Sequence, residues 1–511
     1  MGFSTVLSAT VLGLKVELVN VEADVSNGLP MFHMVGYLSS EVKEATDRVR
    51  TAIHNSGMDF PAKKTIINLA PATIKKRGAA FDLAIAVAIL TALGQLKQES
   101  VNNIILLGEL SLDGNIRPVT GVLPVVLEAK KRGITTCVLP KANALEGALV
   151  REMKIIGVET LEETFLFLDG KKNIKQTQYR IEQEEEERGQ PILDYSDVYG
   201  QAAVKRAAEI AVAGSHNLLL VGPPGSAKSM IAKRIPTIYP EMTMEESMEI
   251  TKIYSILGML KEEQPLIRTR PFRSVHHTAT KTSLVGGGRI PKPGEISLAH
   301  SGVLFLDELP EFQREVLEVL RQPLEEHYIR ITRSQGTYKF PANFMLVGAL
   351  NPCPCGCYPD LNKCRCTEKE IRQYIGKLSQ PFLDRMDICV EAPRVEYHAL
   401  KEKREEESSR QIRMRVSKAR KIQQKRYANK GIFTNSQLDG KLLEQYCALG
   451  PKEEQLMQQA FSNLGLTARS YYKILKVART IADLEEAENI ETKHLQEAIG
   501  YRTLDKKYWG I

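Results

Sequence analysis

Leu218-Leu-Leu-Val-Gly-Pro-Pro-Gly-Ser-Ala-Lys-Ser229 is the stretch that decides the fold. Four apolar residues, Leu218 to Val221, read as a buried strand, and Met230 onward reads as a helix, so the Gly/Pro-rich segment is the loop between them. In that setting the loop's backbone N–H groups and the helix N-terminus surround anionic phosphates. Gly222, Pro223, Pro224, Gly225, Ser226 and Ala227 would shape the cradle, Lys228 would reach the terminal phosphates, and the Ser229 hydroxyl would ligate magnesium. Position 227 carries a methyl group where such loops usually have glycine. The nucleotide implied is ATP with Mg2+.

Two partners follow in chain order. Val303 to Leu306 is a second buried strand and ends in Asp307-Glu308. Asp307 would hold the magnesium through water, and Glu308 would polarise the water that attacks the γ-phosphate. Phe344 to Ala349 is a third strand, and Asn351 just beyond it is placed to orient that water. Together these residues make an ATPase.

Outward from that core, 511 residues are too many for one hydrophobic core. Apolar residues make up 43% and charged residues 26%, a globular balance. The longest uncharged apolar run, Leu83 to Leu93, is shorter than the ~18 residues a membrane-spanning helix needs, and no basic-then-apolar signal opens the chain. The expectation is a cytoplasmic protein without membrane contact. With 69 Lys+Arg against 62 Asp+Glu the net charge is +7, which permits a nucleic-acid partner without requiring one.

The expected domains are 1–170, a linker at 171–190 with almost nothing apolar, a core at 191–395, and a helical domain at 396–511. In the first, Leu12 to Val25 and Ile66 to Leu69 read as strands and Phe81 to Leu93 as a helix. Ile104 to Leu107, a helix over Val122 to Arg132 and the strand Cys137 to Leu139 complete an α/β unit. In the last, helices are expected over Glu402–Lys425, Leu442–Cys447, Glu453–Leu464, Ala468–Glu485 and Thr492–Ile499.

Five of the eight cysteines fall between 353 and 366, which is not the distribution of a disulfide framework. Cys353-Pro-Cys355 and Cys364-Arg-Cys366 form two C-x-C turns whose four thiolates could enclose a tetrahedral zinc. Cys357 leaves open which four bind, and the alternative is a group of packed or redox-active thiols. Those four are the expected set.

The sequence resembles the magnesium chelatase-like AAA+ ATPases of the ComM/YifB group over nearly its whole length. The likeness is carried by DVYGQAAVKRAAEIAVAGSHNLLLVGPPGSAKS, RSVHHTATKTSLVGGGRIPKPGEISLAHSGVLFLDELPEF, NPCPCG with CRC, and LTARSYYKILKVARTIADLE. It implies a multidomain α/β protein: a Lon-protease-like, ribosomal-S5-like first domain, an AAA+ phosphate-loop core and a helical lid. By that likeness Val198 to Gln201 flank the adenine and Asn351 is the polar sensor. Arg385 in PFLDRMD is similar to the arginine finger that reaches a neighbour's ATP, unless it pairs with Asp384 or Asp387. Arg469 in LTARS is similar to the second sensor, acting in cis. A finger in trans implies a ring, for this family a hexamer, and the implied activity is DNA branch migration on single-stranded or branched DNA. A metal-chelatase motor subunit and a protein-remodelling regulator are the alternatives.

Gly108 to Pro118 and Gly121 to Pro124 carry the likeness to Lon, but Arg77-Gly-Ala-Ala-Phe-Asp82 has no serine and Val122 to Val126 no lysine. A Ser–Lys protease needs both, so the domain reads as a binding or assembly platform.

Three further segments bear on partners. Ile329–Arg333 and Thr337–Phe340 read as a β-hairpin with outward basic residues, and Arg330, Arg333 and Lys339 are its candidate DNA phosphate contacts. Arg410 to Lys430 holds nine basic residues and no acid, so a basic face without local neutralising partners is expected. His276-His277, expected to point apart, and Gly286 to Gly288 read as a substrate or subunit loop.

Overall fold

In the computed structural model, residues 2–180, 193–288, 291–333, 336–360, 362–394 and 406–509 are described. The chain opens with strands β1 (Gly2–Leu12), β2 (Lys15–Ser26) and β3 (Met31–Val35), helix α1 (Ala45–Asn55), strand β4 (Lys64–Ala70) and helix α2 (Asp82–Ala92). Then come β5 (Ile104–Leu106), α3 (Val122–Lys131), β6 (Thr136–Pro140), α4 (Lys141–Ala148) and β7 (Lys154–Val158). The seven strands form one mixed sheet in the order β3-β4-β2-β1-β5-β6-β7. Leu12 to Val25, read as a single β-rich run, straddles a hairpin that reverses at Gly13-Leu14 and pairs β1 with β2 antiparallel. Every residue of α2 is buried, which is why its sequence is apolar all round rather than on one stripe.

Ala79 and Ala80 lead into α2, and Val122 to Val126 form the first turns of α3. At the start of α2, Arg48 donates to both carboxylate oxygens of buried Asp82, at 2.8 and 3.1 Å.

Of the expected linker 171–190, residues 181–190 lie outside the described residues; before them, Thr177 N–H donates to Ile155 O on the sheet edge at 2.9 Å. The second unit follows: α5 (Ala202–Gly214), β8 (Leu218–Val221), α6 (Lys228–Arg234), α7 (Met244–Leu257), β9 (Phe272–Val275), β10 (Val303–Leu306), α8 (Arg321–Glu326), β11 (Tyr328–Arg333), β12 (Gly336–Pro341), β13 (Met345–Leu350), α9 (Glu368–Ile375) and β14 (Ile388–Glu391). Its sheet is all parallel in the order β9-β10-β13-β8-β14, the AAA+ arrangement, with β8 and its loop between β13 and β14. Strands covered on both faces need no polar alternation, and β8, β10 and β13 are buried throughout. Helix α7 was not singled out from the sequence; Thr243 and Glu246 cap its start reciprocally.

Helices α10 (Ser409–Arg426), α11 (Pro451–Leu464), α12 (Ala468–Leu484), α13 (Thr492–Gly500) and α14 (Thr503–Trp509) follow. Of the helix expected from Glu402, residues 402–405 lie outside the described residues, and Ser408 caps the helix observed. Lid and core share one apolar cluster, which includes Val416, Ile474 and Ile481 of the one and Leu218, Leu220 and Val347 of the other.

Among the described residues, the first unit touches the second at these places among others. Gly121 N–H donates to Ser255 O at 3.0 Å, and Ser255 Oγ donates to Glu146 at 2.5 Å. The β1–β2 turn lies against the β11–β12 hairpin, where a Cβ on Gly13 would sit 2.9 Å from Tyr338.

Candidate nucleotide site

The site forms at the C-terminal ends of β8, β10 and β13, where parallel strands point their last residues into one crevice. Glycine at 222 is required by space, since a Cβ there would lie 2.2 Å from Ala392 O. Gly225 has φ +79° and Ala227 φ +63°. Ala227 therefore adopts the left-handed conformation that its usual glycine would take freely, at a cost of roughly 1 kcal/mol. Glu308 (φ +52°) and Gln201 (φ +58°) share this strained region, and such strain concentrates where a ligand is handled.

Lys228 is largely buried and folds back on the loop: its Nζ donates to Gly222 O at 2.7 Å, Pro223 O at 2.9 Å and Asn351 Oδ1 at 3.2 Å. Burial pulls its pKa down to about 8, against the opposing pull of Asp307 and Glu308. Ser229 Oγ donates to Asp307 Oδ2 at 2.6 Å, so a hydroxyl and a carboxylate stand together as the oxygen set a hard divalent cation takes. Magnesium fits these donors. Lys228, Ser229, Asp307, Glu308 and Asn351, read from three separate segments, are thus brought to one place. Gln201 Nε2 donates to Ser226 O and Pro393 O, setting Val198 to Gln201 beside the loop.

Sequence reasoning missed His277. Its Nδ1 lies 3.4 Å from Glu308 Oε2, because β9 runs parallel to β10 and Val275 is in register with Leu306. The expectation that the two histidines point apart is corrected: their rings lie 4.0 Å apart, tilted by 36°. Strand order, not local pattern, would have revealed this pairing.

Neither of the acids adjacent in sequence holds the Arg385 side chain. It donates to Pro381 O and to the Glu325 carboxylate of α8, and is 10% exposed. Arg469 is exposed and stands 3.4 Å from Asp384, the residue before Arg385.

Cys353, Cys355, Cys364 and Cys366 converge with all four Sγ atoms within 4.8 Å of one another. Sγ separations of 3.7 and 3.6 Å, with a third of 3.4 Å, lie near the edge of about 3.8 Å that a tetrahedron with Zn–S near 2.3 Å requires. Backbone hydrogen bonds from Cys357 and Arg365 pull the Cys355 thiol down to about 6, toward the thiolate a metal takes. Cys357 stands apart from the four, near Cys355 O. Zinc fits this donor set.

The hairpin forms, with its turn residues Ser334 and Gln335 outside the described residues. Arg330 and Lys339 pair across it on one exposed face, both over the Tyr328 ring, at 5.7 and 3.7 Å. Arg333 shares the other face, that of Ile329 and Ile331, and is exposed at the tip, so the three basic residues reach solvent from two faces of the hairpin. The basic helix has no acidic partner of its own between 410 and 430, yet it is not left unneutralised. Its neutralising partners come from other elements: Arg415 meets Glu209 and Glu407, Lys418 meets Glu486, and Arg426 grips Asp483. Arg410, Lys421 and Lys425 remain exposed.

Known proteins match along almost the whole chain. The family described as "Magnesium chelatase, subunit ChlI" matches residues 194–400, "Subunit ChlI of Mg-chelatase" residues 21–143, and "Magnesium chelatase, subunit ChlI C-terminal" residues 406–502. The chain is 42% identical to competence protein ComM of Haemophilus influenzae over 508 residues, covering 99% of this chain and 98% of that protein. It is 42% identical to the uncharacterized protein YifB of Escherichia coli over 515 residues, with the same coverage. Lon protease of Chloroflexus aurantiacus is 27% identical over 160 residues, 29% of this chain and 19% of that protein.

Proposed function

The chain belongs to the magnesium chelatase-like AAA+ ATPases of the ComM/YifB group, and from that premise we propose that it is a hexameric motor that spends ATP to move DNA strands, a branch-migration helicase of the cytoplasm. In this reading Lys228 and the 222–229 loop hold the ATP phosphates, Ser229 and Asp307 hold magnesium, and Val198 to Gln201 flank the adenine. Magnesium, when bound, neutralises charge on the phosphate oxygens. Glu308 takes the proton of the attacking water while Asn351 orients it, Arg385 reaches the neighbouring subunit's γ-phosphate, and Arg469 contacts ATP in cis. Cys353, Cys355, Cys364 and Cys366 hold a structural zinc.

The observation that carries the ATPase part is that Lys228 bonds to Asn351 and Ser229 to Asp307 at the adjoining ends of β8, β10 and β13. The DNA part is supported by the exposed face on which Arg330 and Lys339 frame Tyr328. Two cations beside an aromatic ring suit a nucleic-acid backbone and a stacked base.

DNA-stimulated ATP hydrolysis tests it. Stimulation is expected in the parent, and replacing Arg330, Arg333 and Lys339 with Ala should abolish it while sparing basal turnover. The slope of log affinity against log salt should shrink by about two to three. Hydrolysis indifferent to DNA would favour the chelatase-type or protein-remodelling reading. An unchanged slope with intact stimulation would move the contact, with exposed Arg410, Lys421 and Lys425 the next place to look.

A further inference from the structure

The four cysteines lie beside the phosphate loop, with Cys353 buried and Cys355 exposed. Gly356, inside the knuckle, has φ +76°, and a Cβ added there would lie 2.3 Å from Cδ of Pro224. A proline ring cannot swing away as a flexible side chain can, so the knuckle backbone forms a wall of the phosphate loop. Two more links run the same way: Gly222 N–H donates to Leu350 O at 3.1 Å, and Asn351, which accepts from Lys228, is two residues before Cys353.

The knuckle has little else to hold its shape. Cys353 is fully buried, and among the described residues the apolar cluster around it consists of Ile371, Tyr374 and Ile375 of α9, flanked by Tyr358, Cys364 and Cys366 and by Tyr508 and Trp509 of the C-terminal helix α14. No described residue between 353 and 366 is helical or in a strand. A segment of that kind takes its structure from the ion that joins its thiolates. Helix α14 closes the circuit, since Tyr508 packs edge-on to Tyr358 at 6.1 Å and its hydroxyl meets the Glu391 carboxylate. The next residue, Ala392, donates to Val221 O at 2.8 Å and is the neighbour that forbids a side chain at Gly222. The phosphate loop is thus flanked on both sides by segments tied to the knuckle.

We propose that the metal-filled cysteine knuckle braces the phosphate loop, through Gly356 against Pro224, and so sets the affinity for ATP while seating the C-terminal helix. The inference rests on the reading of the four cysteines as a metal site. Gly356 acts here as a positioning residue and touches no reacting atom.

The test uses the full chain and zinc as the probe. Removing the ion with a chelator should weaken ATP binding by about tenfold and red-shift the emission of Trp509, the one tryptophan in the sequence, and added zinc should restore both. Gly356→Ala should keep about one zinc per chain yet raise KM for ATP by a similar factor, with kcat at saturating ATP changed less. Cys357→Ser should leave zinc content and ATP affinity at parental values. Zinc removed with nucleotide affinity and Trp509 emission unchanged overturns the brace. So does Gly356→Ala binding ATP as the parent does. A purified protein without metal overturns instead the metal reading beneath it.

Discussion

In the first sheet's unit Asp82 is fully buried, and the Arg48 guanidinium meets both of its oxygens while Leu110 N–H donates to it as well. In the second unit Lys228 is nearly as buried, yet the atoms it touches are two carbonyls, a hydroxyl and an amide oxygen, all neutral. Glu146 repeats the first pattern, its carboxylate saturated by Leu123 N–H, Asn143 Nδ2 and Ser255 Oγ. A buried charge with a full set of partners is finished as structure; one held only by neutral dipoles is still open to a counter-ion. The two units are both α/β, and this difference in how buried charge is satisfied separates the scaffold from the chemistry.

The largest effect should come where the open site is completed by a second chain. Arg385→Ala is expected to bind ATP and lose about 10³-fold in hydrolysis, the scale of an arginine finger. Mixing it with Lys228→Ala subunits should restore composite sites and part of the activity, measured as turnover against mixing ratio. No recovery in the mixture would place Arg385, already held by Glu325 of its own chain, among the finished charges instead.

Within one chain, Glu308→Gln should bind ATP and turn over at least ~100-fold more slowly, the scale of a lost general base. Near-normal turnover would remove Glu308 from the mechanism and leave its contact with His277 as packing. The complementary change tests the finished side: Asp82→Ala strands Arg48 and should cost about 2.5 kcal/mol of stability in denaturant unfolding, a little under the range for breaking a fully buried pair because Arg48 is partly exposed. ATP turnover per folded chain should not change. A loss of turnover with intact stability would mean that the first unit takes part in the motor's chemistry.

What was legible follows the range of the interaction. The phosphate loop, the strand ending in Asp307-Glu308, Asn351 and the cysteine turns are each contiguous patterns, and the structure gathers them as the spacing implies. Pairings between elements far apart in sequence were not legible. Glu325 on Arg385 spans 60 residues, Glu209 on Arg415 spans 206, and His277 reaches Glu308 only because β9 lies beside β10. The basic run at 410–430 looked unneutralised because charge was read along one helix, whereas Asp483 and Glu486, at the end of α12 and just after it, supply the balance.

His216 supplies the smallest effect and the sharpest control on the comparison. It is fully buried between core and lid, its Nε2 is 2.8 Å from Thr480 Oγ1, and its Nδ1 lies 3.9 Å from Asp387 Oδ2. Burial lowers its pKa from 6.5 to about 4, opposed by Asp387, whose carboxylate also meets Lys473 at 2.9 Å. Because the folded pKa is depressed, the unfolded chain binds the extra proton between about pH 6.5 and 4. The stability that rests on neutral His216 is complete above pH 6.5 and drains away as the pH falls toward 4, by about 2 kcal/mol at pH 5. His216→Gln, which keeps a donor and acceptor for Thr480 and cannot titrate, should flatten the fall in unfolding free energy over that interval without altering ATP turnover at pH 7.5. Here a buried group lacks a full set of partners yet is silenced by losing its charge, so incomplete pairing marks chemistry only when the charge is retained, as at Lys228. An acid profile unchanged in His216→Gln, or a loss of turnover at pH 7.5, would break that distinction.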